Sequence, residues 1–423
     1  MNPSHRVAII GGSRIPFCRA GTDYAQLDNH ALLAAALQGL VSQFDLSNQI
    51  VGEVQGGAVL KHSKDFNLVR EAVLSSGLAP ETPTTDVQMA CGTGLQAALN
   101  LAGKIAMGQI ESGIACGVDS ISQRPASISD DFYRALQNNG GLQQPALEIE
   151  NLLKQHPKLG VPNVPGVDER RTGKSMGQHC EEMIEQWGVT RAEQDTLAAA
   201  SHHNLATAYQ QGFHNDLITP FANVSRDNNL RPDVSIEKLS SLKPVFHANG
   251  SITAGNASAF TDGAAAILMA NESWAKQQGL EVLAYLRFGK TAAVNFEHGH
   301  EGLLLAPAYA VSQMLEDAQL SLQDFDYYEL HEAFAGQVLC TLKAWEDPEF
   351  CRQRLGREQP LGAIDRQKLN VSGSSLAAGH PFAATGARII PVLAKLLQQK
   401  GQGRGLISIC TAGGMGVTAI LER

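Results

Sequence analysis

This 423-residue sequence predicts an α/β fold with a largely parallel sheet covered by helices. Three observations carry that expectation. Short apolar runs alternate with helical stretches, the alternation occurs twice along the chain, and glycines cluster where one pattern gives way to the other. Apolar residues make up 43% of the chain against 18% charged, enough for a large buried core. At roughly 150 residues per domain, the length implies two or three domains.

The first round of alternation occupies residues 1–120. Residues 6–10 read as a strand, 29–44 as an amphipathic helix, 51–59 as a strand and 67–76 as a helix. Residues 86–90 are expected as the strand that delivers Cys91, with a buried helix over 95–107 and a further strand over 112–119. From 123 to 165 the chain turns polar. Asn138, Asn139, Gly140 and Gly141 stand in a row and Pro157, Pro162 and Pro165 lie close together, so this stretch reads as an excursion outside the sheet. Helices are expected over 175–187 and from a capping box at Thr190 and Glu193 to Gly212. Polar, irregular sequence continues to Phe246, and a strand over 264–269 returns the chain to the sheet.

Residues 121–248 are therefore expected as an insertion in a first unit made of 1–120 and 249–270. The second unit, 271–423, repeats the grammar. It reads as strand 283–289, helix 306–319, strand 327–330, helix 333–345, a long helix over 379–399 with Pro381 in its first turn, and strands 405–410 and 417–421.

Composition excludes several function classes. A formal charge of −9 argues against a general nucleic-acid binder, which needs a basic face to neutralise phosphates. No apolar run approaches the ~20 residues of a membrane span. The first six residues carry no leader-like pattern, and seven scattered cysteines form no disulfide framework, so a reducing compartment, the cytoplasm, is expected. Gly11 and Gly12 lack the spacing of a dinucleotide loop. His331-Glu332 fails as a metalloprotease motif because residue 335 is alanine, and His202, His203, His298 and His300 lack partners at ligand spacing; no metal is expected.

Chemistry concentrates at four places. Cys91 sits where a strand is expected to turn into a helix, and the exposed N–H groups and positive dipole end of a helix favour a thiolate. Gly92 and Gly94 permit a sharp turn and close approach of a substrate. An activated nucleophile and an inert cysteine packed as a small hydrophobe both fit this stretch. The second half adds Glu329 to Gln337 around His331, Asn370 to Pro381 around His380, and Cys410 to Gly416. Each places a reactive side chain at a strand end beside flexible backbone, where ligands of open α/β sheets gather. Singly, His331 also fits a helix cap, His380 a hydrogen-bonded core histidine and Cys410 an inert strand residue.

Together, Cys91, His331, His380 and Cys410 resemble the catalytic set of the thiolase family, and the resemblance spans essentially the whole chain. It takes in Arg14-Ile15-Pro16-Phe17, Ser175-Met176-Gly177, Arg231-Pro232-Asp233, Leu242 to Phe246, Thr253 to Ser258 and Asp262-Gly263-Ala264. The His331-Glu332-Ala333-Phe334 and Cys410-Thr411-Ala412-Gly413-Gly414 motifs look most like the fatty-acid-oxidation thiolases of the trifunctional β-subunit type.

The resemblance implies two similar βαβαβαββ halves in αβαβα layers. It also implies an acyltransferase that cleaves 3-oxoacyl-CoA with coenzyme A, or runs the reverse Claisen condensation, through an acyl group on Cys91. Cys410 would be the acid and base. His380 and a water held by His331 would serve the enolate oxygen, and the backbone N–H groups of Cys91 and Ala412 the tetrahedral oxyanion. Ser258, Met176, Arg231 and Ser175 stand at positions that contact coenzyme A or acyl chain, although Ser175 replaces a frequent histidine.

Coenzyme A is implied as co-substrate, with acyl-CoA as partner and no resident cofactor. The family further implies a homodimer or homotetramer, with the β-subunit likeness adding a hydratase/dehydrogenase α-chain partner. Two rivals share the architecture: a decarboxylating ketoacyl synthase-like condensing enzyme, which has no use for Cys410, and a non-catalytic acyl-CoA or lipid binder.

Overall fold

The computed structural model describes residues 6–138, 146–160, 166–297 and 302–423. Asn139, Gly140, Gly141, Pro162, Pro165, His298, His300 and residues 1–5 lie outside the described residues. Ten strands are found: β1 (Val7–Arg14), β2 (Cys18–Arg19), β3 (Glu53–Gly56), β4 (Thr84–Asp86), β5 (Ser112–Asp119), β6 (Thr261–Asn271), β7 (Ala284–Ala293), β8 (Tyr327–Leu330), β9 (Arg404–Thr411) and β10 (Met415–Glu422). The helices are α1 (Asn29–Gln43), α2 (Leu68–Leu74), α3 (Thr93–Ala106), α4 (Asp130–Asn138), α5 (Ala146–Gln155), α6 (Met176–Gln186), α7 (Arg191–Gln210), α8 (Ile236–Ser240), α9 (Glu272–Gln277), α10 (Ala306–Ala318), α11 (Ala335–Glu346), α12 (Pro348–Gln353), α13 (Ser375–Ala378) and α14 (Ala384–Lys400).

The sheet runs β4-β3-β5-β6-β1-β7-β10-β9-β8, with β2 on β6. It is mixed, which corrects the expected largely parallel sheet. β3 is parallel to β4 and β5, and β8 to β9; the other pairings are antiparallel. The reason is local at β9 and β10, where Gly413 and Gly414, at φ of +77° and +69°, let the chain reverse in place instead of crossing over. Between β5 and β6 the long excursion leaves either direction open, and alternation alone cannot tell them apart.

The duplication is visible in the pairings. β3 parallel to β5, β5 antiparallel to β6 and β6 antiparallel to β1 repeat as β8 parallel to β9, β9 antiparallel to β10 and β10 antiparallel to β7. β1 and β7 pair antiparallel at the join, Val7 opposite Leu286.

Strand residues alternate between two covered faces. In β1, Ala8 and Ile10 pack with Leu32, Leu37 and Leu40 of α1 on one side. Val7 and Ile9 pack on the other side in the core shared by α3 and α14. Ile407 and Ile409 of β9 face that same shared core, while Leu406 and Cys410 face the core of α10 and α11. The central helices therefore lie between the two halves, which completes the αβαβα layering. The first eleven residues of α14, Ala384 to Ala394, are buried without a break, as in a helix covered on every side.

Three expected elements are displaced. β4 ends at Asp86, not Ala90, because Ala90 takes a left-handed φ of +45° and residues 87–90 leave the strand. α14 begins at Ala384, not at 379, and Pro381 lies before it. The Ala383 N–H is donated to the Asp119 carboxylate and its carbonyl accepts from Gly94 N, so tertiary bonds hold the chain before the helix can start. The stretch read as a polar excursion contains α4 and α5.

α3 and α14 approach through glycine. A Cβ at Gly386 would stand 2.3 Å from the backbone N of Leu95, and one at Gly94 would stand 2.7 Å from the N of Ala387. A Cβ at Gly117 would meet Ala383 O at 2.0 Å. Gly103, farther along α3, has open space around it. Gly386→Ala is expected to cost about 1–3 kcal/mol by overpacking backbone that cannot yield. Gly103→Ala is expected to be neutral or to stabilise by up to ~1 kcal/mol. Denaturant titration of both variants checks the pair; equal effects would remove the helix contact from the account.

Candidate active site

Two reactive side chains precede the two central helices. Cys91 lies two residues before α3 and His380 four residues before α14. The turn at Cys91 is pinned locally: Thr93 Oγ1 donates to Ala90 O at 2.7 Å and accepts from Met89 N at 2.9 Å, while Gly92 N donates to Met89 O. A non-glycine residue at positive φ costs on the order of 1–3 kcal/mol and persists where its surroundings over-determine it. Ala90 is such a residue, directly before the cysteine.

His380 is held at both ends. Its N–H donates to Thr261 Oγ1 at 2.7 Å, its Nδ1 pairs with Thr385 Oγ1 at 2.6 Å, and its Nε2 lies 3.1 Å from Cys91 Sγ. His331 follows β8 and continues its ladder, donating its N–H to Ser408 O. Its ring centroid is 4.1 Å from that of His380, its Nδ1 pairs with Ser375 Oγ at 2.9 Å, and its Nε2 is buried without a partner among the described residues. Cys91 Sγ and a nitrogen of each ring lie within 4.8 Å of one another.

These groups meet at a cavity of about 490 Å³. Cys91, His380, Cys410 and Ala412 line it together with Ser258, Met176 and Ser175, and the rings of Phe246, Phe334 and Phe382 make much of its apolar wall. His331 is fully buried just beyond that wall, behind His380. Ser175 is also the cap of α6, exchanging hydrogen bonds with Gln178. Arg231 is exposed and lies outside the lining. The sequence reading thus placed seven of its residues in one cavity and His331 against its wall, and left Arg231 apart.

Burial sets the protonation states. It pushes the Cys91 thiol up to about 12, with Asp119 adding to the rise; the N–H groups of Ala412 and of Cys91 itself pull the other way. This corrects the thiolate expected from the helix terminus: desolvation outweighs the donors. Burial lowers His380 to about 3, with the Arg388 cation adding to the fall, and depresses His331 well below its ordinary value. The Cys410 thiol is raised well above its ordinary value by burial and by Cys91. The resting pair is therefore a neutral thiol beside a neutral imidazole. Cys91 alone of the seven cysteines is not fully buried.

Several residues escaped the sequence reading. The Asp119 carboxylate accepts from the N–H groups of Val59, Leu60 and Ala383, tying the ends of β3 and β5 to the His380 turn. Arg388 donates to Ser374 and Ser375, and Glu332 accepts from Ser201, Asn370 and the N–H of Leu376. Glu329, raised to about 8 by burial, completes this polar patch behind His331. Glu169 accepts from Gly413 N at 2.5 Å and so braces the turn that presents Ala412. Glu329 and Glu332 fall in the polar run read around His331, and an arginine amid the apolar residues at the start of a helix was the sequence signal for Arg388.

Because the thiol is raised and the imidazole lowered, the alkylation rate of Cys91 by iodoacetamide should climb about tenfold per pH unit between pH 6 and 9. A flat profile over that range would mean a preformed thiolate.

A thiol, an imidazole and a second thiol thus share one cleft of a duplicated α/β fold. The chain belongs to the thiolase family: the thiolase N-terminal domain matches residues 7–273 and the C-terminal domain residues 280–423. It is 39% identical to a 3-ketoacyl-CoA thiolase of Serratia proteamaculans, covering 99% of this chain and 97% of that one. With a 3-ketoacyl-CoA thiolase of Vibrio cholerae the identity is 38% at the same coverage. Among solved structures it superposes on a Bacillus anthracis acetyl-CoA acetyltransferase with a TM-score of 0.82 and 29% identity over 100% of both chains. On human mitochondrial 3-ketoacyl-CoA thiolase in complex with CoA the TM-score is 0.81, with 27% identity over 99% of this chain and 98% of that one.

Proposed function

We propose that the chain is a coenzyme A-dependent thiolase that cleaves 3-oxoacyl-CoA to acetyl-CoA and a shortened acyl-CoA, and that catalyses the reverse Claisen condensation. The observation that carries this reading is Cys91 Sγ at 3.1 Å from His380 Nε2 with Cys410 on the same cavity.

In cleavage, His380 Nε2 takes the thiol proton as Cys91 Sγ attacks the 3-keto carbon. The bond between C2 and C3 breaks, its electron pair leaves with acetyl-CoA as an enolate, and the Cys410 thiol protonates C2. The thiol of incoming coenzyme A then gives its proton to the Cys410 thiolate and attacks the Cys91 thioester, and the Cys91 thiolate that leaves takes its proton back from His380. Splitting the reaction through an acyl-enzyme replaces one hard step with two easier ones.

The N–H groups of Ala412 and Cys91 that stabilise the sulfur anion are placed to serve the tetrahedral oxyanion, and losing such a donor typically costs about 10²–10³ in rate. His380, with a water held by His331, serves the enolate oxygen. Thr385 and Ser375 fix the two rings through Nδ1; a hydroxyl can donate to a bare nitrogen or accept from a protonated one, so each Nε2 can act in either state.

The same reading makes Ser258, Met176, Ser175 and Arg231 contacts of the coenzyme A ester, and residues 121–248 a unit inserted within the first half, 1–120 with 249–270, ahead of the second half, 271–423. It takes coenzyme A as co-substrate without a resident cofactor or metal, a cytoplasmic homodimer or homotetramer, and an acyl-CoA hydratase/dehydrogenase partner chain. Family resemblance alone supports these last points. A ketoacyl synthase has no role for a second thiol facing the nucleophile, so Cys410 on the cavity favours the thiolase.

Cys91→Ala should abolish acyl-enzyme formation. Cys410→Ala should still acylate when presented with acyl-CoA but lose carbon–carbon bond cleavage, followed as loss of 3-oxoacyl-CoA absorbance. Equal loss of both partial reactions in Cys410→Ala would contradict the division of labour between the sulfurs.

A further inference from the structure

His331 Nε2 is buried with no partner among the described residues, and Cys91 Sγ and a nitrogen of each of the rings of His331 and His380 lie within 4.8 Å of one another. One thiol and two imidazoles are the donor set of a borderline-soft divalent cation. We propose that Cys91, His331 and His380 form an inhibitory binding site for Zn²⁺, and that occupancy switches the enzyme off.

The geometry is near what the ion requires. Tetrahedral zinc bonds of about 2.3 Å to sulfur and 2.0–2.1 Å to nitrogen place neighbouring ligands roughly 3.5 Å apart. Cys91 Sγ and His380 Nε2 are 3.1 Å apart, and all three donor atoms fall within 4.8 Å. The first pair opens slightly and His331 closes in.

Both histidines carry the outer partner that orients a metal-binding ring. Thr385 Oγ1 holds His380 by Nδ1 and Ser375 Oγ holds His331 by Nδ1, leaving each Nε2 available as a ligand. Arg388, which can only donate, steadies the Ser375 hydroxyl from behind. The remaining coordination position opens on the cavity that Cys410 also lines, so the ion has a route in and room for a water or a second sulfur.

On binding, the Sγ–H bond breaks, a bond from Sγ to zinc forms, and one proton leaves to solvent. No electron changes hands. The nucleophile and its base are both sequestered, so the inhibition half of the proposal rests on the thiolase reading, while metal binding does not.

The test measures binding without any coenzyme A ester. The full chain is titrated with Zn²⁺ against a chromophoric chelator and, separately, with Co²⁺, whose thiolate charge-transfer band reports a sulfur ligand. One ion per chain is expected, with a thiolate band and with Cys91 protected from iodoacetamide. Cys91→Ser and His331→Asn should weaken or abolish uptake. Ser375→Ala and Thr385→Ala, which leave all three ligands in place, should each lower affinity by about 10–100-fold.

Thiolysis by the intact enzyme should be lost with bound Zn²⁺ and return on chelation. Unchanged uptake in both Cys91→Ser and His331→Asn, or a wild-type chain without a thiolate band and without protection of Cys91, would overturn the site. Metal uptake by a chain that shows no thiolysis would instead count against the proposed function.

Discussion

The catalytic geometry depends on one close contact, the crossing of α3 and α14 through Gly94 and Gly386. The two helices are equivalent elements of a duplicated unit, each feeding a strand of its own half. Because no side chain separates them, the turns that precede them are brought together, and those turns carry Cys91 and His380. Gly117 extends the contact by letting Ala383 O settle on β5. Asp119 then anchors the His380 turn to the first half through Ala383 N. A bond between residues nearly 300 positions apart, Cys91 to His380, is thus a consequence of internal symmetry and of three missing Cβ atoms.

The second consequence is electrostatic. The same packing that aligns the turns excludes water from them, and exclusion dominates every ionisation in the site. A thiol near 12 and an imidazole near 3 cannot form a resting ion pair, so the proton must move as the sulfur attacks. On the proposed function, the donors at Ala412 and Cys91 are idle in the free enzyme and act once negative charge develops. Such an arrangement holds its stabilisation for the transition state, where it accelerates the reaction.

Much of this was legible in the sequence, and the failures have physical causes. Apolar periodicity located most strands and helices, including β8 at its observed bounds, and the capping box at Thr190 and Glu193 marked the start of α7. The direction of the strands was not legible, since a helix between two strands suggests a parallel crossover and a long insertion is compatible with either sense. Local rules also misplaced the ends of β4 and α14, because Ala90 is turned by a side-chain bond from Thr93 that apolar alternation does not register, and Ala383 is held by a tertiary bond that no window of sequence contains. Cys91, His380 and Cys410 stood out because reactive residues near glycine leave a local trace. Asp119 and Thr385 leave none, as their roles exist only once distant segments meet.

The central claim is that helix crossing makes Cys91, and no other sulfur, the acyl carrier. Mass spectrometry of enzyme acid-quenched during turnover of a 3-oxoacyl-CoA tests it most directly. The account predicts an acyl group two carbons shorter than the substrate chain on the peptide containing Cys91. The same group on the peptide containing Cys410, or an uncleaved chain on either sulfur, would contradict it.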